Sequence, residues 1–408
     1  MKILSITNLL TASLAISANA SGLYDIPNED LEEAFPIKWS VGMNAIWDDN
    51  TTPTFAGPAD QTFSLNPYVG SEYASSAPQT TWDVFAKLGV LYYLDEPAAP
   101  GSDDMYNQMR AGLNLTHSFN ERLRLVNRSF ISYELEPDYS YGVATNRQSS
   151  ESLYWSIDNA LGYRWTERVA TYTGITLTMS DITDSPNADR FTWTAYNQFR
   201  YVLSPQTTGL AAIRHAQTTA GEQASDSTDT YLMVGAEHRF SPNTILTGNV
   251  GTQFREVDAA KGNNSANPYF DLTLRSQINS QFNVSAFVRY SSEVNDTVVN
   301  LPLLLAEYDS RLTLRIGTTA TYQISEKLSL FSGIDVISSS YENGREISTG
   351  ISQEDQSEFL VNAHIGTSLK LTEYLNAMLS YNFTNVDSDL PDRSYDRNRI
   401  SIGLQAEF

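Results

Sequence analysis

The chain has 408 residues, no cysteine and a formal net charge of -22. The missing cysteine excludes a disulfide framework, a thiolate metal site, a cysteine nucleophile and a lipoprotein anchor. The acidic balance argues against nucleic acid or anionic lipid as a partner, and the length suits either two or three domains or one large β-barrel.

Residues 1–20 carry Lys2, an apolar stretch from Ile3 through Ile16 and the small-x-small triplet Ala18-Asn19-Ala20, the signature of a signal peptide cleaved after Ala20. Residues 21–36 are acidic and contain proline. They read as a short periplasmic segment, too short for a plug. Beyond the signal no run of 18 apolar residues occurs, so a helical span is excluded and only a closed barrel could cross a bilayer. Strands are expected at 38–47, 63–75, 81–94 and 105–117.

From there one pattern organises the chain: an apolar residue, a few turn residues, then the start of a new alternating segment. It reads Phe119-Asn120-Glu121-Arg122-Leu123, Trp165-Thr166-Glu167-Arg168-Val169, Leu203-Ser204-Pro205-Gln206-Thr207 and Phe240-Ser241-Pro242-Asn243-Thr244. Ile278-Asn279-Ser280-Gln281-Phe282, Ile324-Ser325-Glu326-Lys327-Leu328 and Leu371-Thr372-Glu373-Tyr374-Leu375 continue it. The copies are separated by 37 to 47 positions, room for two strands of about twelve residues and one longer loop. Each copy is expected to be a tight turn on one rim, with the long loops on the other.

Between turns the period is two, as a strand requires: Val169, Thr171, Thr173, Ile175, Leu177 and Met179 face one way, and Arg168, Ala170, Tyr172, Gly174, Thr176 and Thr178 the other. A β-sandwich alternates too, but so many hairpins with short turns on one side close more readily into one barrel. The expectation is an all-β, antiparallel up-and-down transmembrane barrel over 37–408, with about 18 strands or alternatively 16, and both termini on the periplasmic side.

The last strand, 395–408, places Ile400, Ile402, Leu404, Ala406 and the terminal Phe408 on one face. It resembles the C-terminal signal that the bacterial barrel-assembly machinery reads, with Ile400, Ile402, Leu404 and Phe408 as the residues that carry the match; Ala406 is smaller than the aromatic often found there. The chain as a whole resembles bacterial outer-membrane β-barrels and, more loosely, the uncharacterised β-barrel porins. That resemblance implies outer-membrane lipid and the assembly machinery as partners, with a homotrimer as one assembly such porins take.

Charged groups on the lipid face of a barrel cost about 2–4 kcal/mol at midplane for Arg or Lys, so the alternation assigns them inward. Arg110, Arg124, Arg128, Arg164, Arg200, Arg239, Arg275, Arg289, Arg311, Arg315 and Arg399 then line the pore, facing Asp83, Asp158, Glu237, Asp271, Asp309 and Asp335. Arg311 and Arg315 with Asp309 are the candidate eyelet, in a lumen where opposed charges orient water and bias ion passage. The apolar segment from Val298 through Leu305 either folds into the lumen or extends a strand above the membrane.

Asp48, Asp49, Asp103, Asp104, Glu222, Asp226, Asp229, Glu354, Asp355, Asp387, Asp389 and Asp392 are assigned to loops. The cluster Asp387, Asp389, Asp392 and Asp396 lacks the spacing of a calcium loop, so no metal site and no cofactor is expected. The histidines, His117, His215, His238 and His364, belong to no nucleophile motif, which disfavours an enzyme. The favoured reading is a porin-like channel for small hydrophilic solutes or ions. The alternative is a barrel with a structural, adhesive or surface-polysaccharide export role.

Overall fold

The computed structural model describes residues 37–53, 59–98, 102–135, 151–183, 189–221, 224–258, 263–293, 298–301, 304–346, 348–391 and 393–408. The signal peptide and the 21–36 segment expected from the sequence lie outside the described residues.

Everything described is strand, turn or loop. In chain order the strands are β1 (Lys38–Asp48), β2 (Thr62–Ser76), β3 (Thr80–Tyr93), β4 (Met105–Ser118), β5 (Leu123–Glu134), β6 (Ser152–Arg164) and β7 (Val169–Ile182). They continue with β8 (Arg190–Ser204), β9 (Thr207–Ala220), β10 (Ser227–Ser241), β11 (Thr244–Val257), β12 (Asn263–Asn279) and β13 (Phe282–Glu293). The remainder are β14 (Val298–Leu301), β15 (Leu304–Gln323), β16 (Leu328–Glu346), β17 (Gln356–Lys370), β18 (Leu375–Ser388) and β19 (Tyr395–Glu407).

Apart from the short β14, each strand pairs antiparallel with its neighbours in the wall, and β1 also pairs with β19 from Ser40↔Glu407 to Asp48↔Arg399, so the sheet closes on itself. β13 and the four-residue β14 lie successively along the same edge of β15 and count as one position. The wall is therefore an 18-stranded up-and-down barrel. With strands about 4.8 Å apart and tilted about 40°, its backbone walls stand roughly 35 Å apart.

All seven sequence repeats are turns on one rim. In every copy the side chain of the second residue accepts a hydrogen bond from the backbone N–H of the fourth: Asn120 from Arg122, Thr166 from Arg168, Ser204 from Gln206, Ser241 from Asn243, Asn279 from Gln281, Ser325 from Lys327 and Thr372 from Tyr374. This is why the second position is always Asn, Ser or Thr: a short side chain closes the turn locally where the ladder cannot. β1 begins and β19 ends on this rim, joined by reciprocal backbone bonds between Trp39 and Phe408 at 3.1 and 2.9 Å.

The alternation has the physical cause the sequence suggests. Val41, Met43, Val69, Leu88, Ile175, Ile213, Leu232, Val234, Val250, Leu272, Ile365, Leu379, Ile402 and Leu404 are exposed on the outer face, while buried polar groups occupy the inner one. Aromatics frame the outer band: Trp39, Phe119, Trp165, Tyr201, Phe240, Tyr374 and Phe408 near the turn rim, and Phe63, Tyr92, Phe191 and Phe359 towards the loop rim. Strands of 11 to 20 residues, the four-residue β14 apart, are long enough for the hydrocarbon core, which needs about 9–11 tilted residues.

Candidate functional site

The inner face is built on two recurring devices. The first is an aromatic ring laid flat over a glycine of the adjacent strand: Phe85 over Gly112, Tyr68 over Gly42, Tyr172 over Gly162, Tyr196 over Gly174, Phe287 over Gly317 and Phe331 over Gly366. Covering a backbone that has no side chain of its own lets a large ring lie along the wall instead of projecting into the space it encloses.

The second device is ion pairing along the wall. Arg110 on β4 pairs with Glu134 on β5. Arg200 meets Glu237 at 2.6 Å, and Arg239 approaches the same carboxylate at 3.6 Å. Arg397 grips Asp48 with Nε and Nη2, at 3.0 and 2.6 Å, across the seam between β19 and β1. Arg124 donates to the Tyr172 hydroxyl at 3.0 Å. Asp158 accepts from Thr176 at 2.7 Å and Tyr196 at 3.0 Å.

The densest network occupies the loop-side part of β10 to β16. Arg315 binds Glu293 bidentately at 2.8 and 2.7 Å, and Arg289 approaches it at 3.7 Å. Arg311, fully buried, donates to Ser339 at 3.2 Å and stacks 5.7 Å from the Tyr341 ring. Arg345 bonds Asp309 at 2.8 Å and lies 3.5 Å from Glu307. Asp229 accepts from Gln253 at 2.7 Å and has Arg255 3.6 Å away.

The wall is not uniform at this level. β12 pairs with β11 up to Asn263 but with β13 only as far as Phe270↔Tyr290. Above that point β13 parts from β12 while staying paired with β15 as far as Glu293↔Arg311, and the inward-facing Gln253 of β11 bonds both backbone groups of Ser292. Further along, Ser225 N, in the loop before β10, donates to Glu307 of β15 at 2.8 Å although β11, β12 and β13 separate the two strands in the wall. Ser291–Glu293 and Glu307 therefore lie over the inner side of β12 and β11, and β14 continues along the same edge of β15. Of the 298–305 stretch, Val298–Leu301 and Leu304–Leu305 belong to the paired β14 and β15, an extended strand as one reading expects, and Pro302 and Leu303 lie outside the described residues.

All eleven arginines assigned to the pore, Arg110, Arg124, Arg128, Arg164, Arg200, Arg239, Arg275, Arg289, Arg311, Arg315 and Arg399, stand at positions of the inward parity, as does Asp309. Three of their partners, Glu134, Glu293 and Arg345, are not singled out in the sequence, because each comes from a neighbouring strand and is placed by the register of the pairing. Three of the loop assignments need correction. Asp48 ends β1 and Asp229 lies in β10, both buried and facing arginine, because carboxylates at strand ends complete the inner ion pairs. Asp387 likewise falls within β18 rather than in a loop, and Asp396 lies in β19, inside the last strand expected at 395–408.

The acidic cluster is spent locally: Asp389 accepts from Ser357 N and Oγ at 3.0 and 2.6 Å, and Asp396 from Asn385 at 2.7 Å. Asp392 lies outside the described residues. Among the described residues no group of three or more His, Asp or Glu has metal-holding geometry. Three histidines share hydrogen bonds with threonine hydroxyls: His117 with Thr80 at 2.7 Å, His238 with Thr207 at 2.9 Å and His215 with Thr230 at 3.0 Å. Those three face outward, and no acid in the described residues orients their second ring nitrogen.

No family model and no curated protein matches the chain. Among solved structures it is similar to OccAB4 of Acinetobacter baumannii, with a TM-score of 0.45 and 10% identity over 92% of this chain and 99% of that one. It is similar to OpdK of Pseudomonas aeruginosa with vanillate, at a TM-score of 0.47 and 10% identity over 91% and 99%. A BenF-like porin from Pseudomonas fluorescens gives a TM-score of 0.47 and 10% identity over 93% and 100%. The closure of this chain's own strands, between β1 and β19, is what establishes the barrel.

Proposed function

We propose that the chain is an outer-membrane, porin-like channel for the passive diffusion of small hydrophilic solutes or ions, exported through a cleaved signal peptide. One observation carries the reading: a closed 18-stranded wall that is apolar outside and lined inside by arginine, carboxylate and amide groups. A barrel of that strand number encloses an aqueous channel unless something fills it. The inward position of Ser291–Glu293 and Glu307 narrows one side, and the charges around Glu293, Arg315, Arg311 and Asp309 form its constriction. Pairing arginine with carboxylate along the wall leaves a transverse field that favours polar solutes over apolar ones. The wall does this without a cofactor and without catalysis.

The test is single-channel recording of the mature chain refolded in detergent and inserted into a planar bilayer under a salt gradient. Stable ohmic steps, with a reversal potential shifted by Arg311→Ala or Arg315→Ala, support the channel and its constriction. A folded, heat-modifiable barrel that never conducts overturns it and favours the structural, adhesive or export reading.

A further inference from the structure

The outer face carries a polar row where hydrocarbon is expected, beside the outward His215–Thr230 pair of β9 and β10. On β6 the outward residues run Trp155, Ile157, Asn159, Leu161, Tyr163, and on β8 they run Trp193, Ala195, Asn197, Phe199, Tyr201. On each strand an asparagine sits midway between two aromatics of the kind that sit at membrane interfaces, four residues from either. Asn127 and Ser129 of β5 and Thr173 of β7 join the row, since Asn127 pairs with Asn159 and Thr173 with Asn197 in register. Among the described residues the other outward asparagines of paired strands, Asn107, Asn264, Asn385 and Asn398, lie towards the loop rim.

Internal hydrogen bonds satisfy only part of the row. Asn127 Nδ2 donates to Asn159 Oδ1 at 2.8 Å, Ser129 Oγ donates to Asn127 Oδ1 at 3.1 Å, and Asn197 Nδ2 donates to Thr173 Oγ1 at 2.6 Å. Asn159 Nδ2 and Asn197 Oδ1 bond to nothing among the described residues, an open donor on β6 and an open acceptor on β8. Lipid tails offer neither group, and a polar atom left unsatisfied in hydrocarbon costs several kcal/mol.

We propose that this row on β5 to β8 is the contact between two copies of the chain, related by a two-fold axis along the membrane normal. The aromatic pairs hold every copy at one height, so the row of a second copy arrives at matching depth. A two-fold axis places Asn159 of one copy opposite Asn197 of the other, and the reverse, which joins each open donor to an open acceptor. Thr173 and Ile175 on β7 lie between them, nearest the axis. The row thereby hydrogen-bonds across the interface, the way polar side chains join helices in a bilayer. The proposal rests on the membrane-spanning reading of the outer face and not on conduction, so a folded barrel that never conducts leaves it standing, and a monomer leaves the channel reading standing.

The chain has no cysteine, so single cysteines report contacts cleanly. Thr173→Cys and, on the opposite wall, Ile365→Cys are oxidised in reconstituted membranes, and the oligomeric mass is read by native mass spectrometry in mild detergent. The expected result is a dimer, at least tenfold more disulfide-linked product from Thr173→Cys than from Ile365→Cys, and at least tenfold less dimer in the Asn159→Leu/Asn197→Leu variant. That variant must keep its heat-modifiable mobility; should it fail to fold, the single Asn159→Asp variant, whose carboxyl removes the amide donor, replaces it. A monomeric or trimeric mass, equal cross-linking at the two positions, or a variant that dimerises like the parent overturns the proposal.

Discussion

Gln253 on β11 holds the backbone of Ser292 on β13 from both ends: Oε1 accepts from Ser292 N and Nε2 donates to Ser292 O, each at 2.8 Å. The same Nε2 donates to Asp229 at 2.7 Å. One buried amide thus pins the inward-leaning segment to the wall. Gln253→Leu keeps the volume and removes all three bonds, leaving buried partners unpaired at about 1–3 kcal/mol. The expected outcome in single-channel recording is a larger and noisier conductance with the barrel still heat-modifiable. A trace like that of the parent would show that the segment does not narrow the pore.

Glu293 sits against Arg315, Arg289 and the neighbouring Arg311. Glu293→Gln removes the one carboxylate among three guanidiniums. The reversal potential is expected to move towards anion selectivity, and Arg315→Gln to move it the other way. Equal shifts of one sign would show that the cluster lies outside the ion path.

The inward glycines divide into two kinds with opposite consequences. A methyl at Gly112 first meets the Phe85 ring, a side chain that can swing away from the wall. Gly112→Ala is expected to fold, at a cost of about 1–3 kcal/mol, with a reduced conductance. A methyl at Gly251 meets the backbone of Leu232 and Met233, which cannot move without parting β10 from β11. Gly251→Ala is expected to lose the heat-modifiable band altogether, as read by gel mobility.

Asp389, in the loop after β18, accepts two hydrogen bonds from Ser357, and these hold its carboxyl below the usual carboxylate range. A depressed folded pKa means the loop is held in place above the ordinary carboxylate value and released as pH falls through the lowered one. The amide resonance of Ser357 should shift with a midpoint below that of an exposed aspartate. Asp389→Asn should abolish the titration.

Phe408 closes the seam with Trp39 through two backbone hydrogen bonds. Deleting it removes that pair as well as the terminal aromatic of the expected assembly signal. If the signal is read in cells, the truncated chain refolds in detergent to nearly the parental yield but assembles poorly in the outer membrane. Equal loss in both settings would reduce Phe408 to a structural closure.

Much of the barrel is legible along the chain itself. The strands expected at 38–47, 63–75, 81–94 and 105–117 are β1 to β4 to within a residue at each end. The seven turns stand where the repeat puts them. Strand periodicity is a local property: each residue's face follows from its neighbour's, and each turn is closed by its own second side chain. Inward arginine and outward leucine follow from the same local rule for a strand that crosses a bilayer.

The number of wall positions is open between 16 and 18 along the chain because β1 and β2 are its least secure strands, and only their pairing with each other, with β19 and with β3 settles on 18. The four-residue β14 raises a separate question of count, since only its place on the same edge of β15 as β13 keeps it from being a further wall position. Partners are hidden for a related reason. Asp48 and Arg397 are 349 positions apart and meet only because β1 and β19 close the sheet. The polar row of Asn127, Asn159 and Asn197 reads along each strand as a single exception to an apolar face. Strands, faces and the turn rim depend on residues a few positions apart, so the linear order of residues is enough to place them. The ion pairs, the inward lean at Ser292 and the alignment of three asparagines into one row come only with the closed barrel, because each needs side chains from separate strands brought together by register and closure.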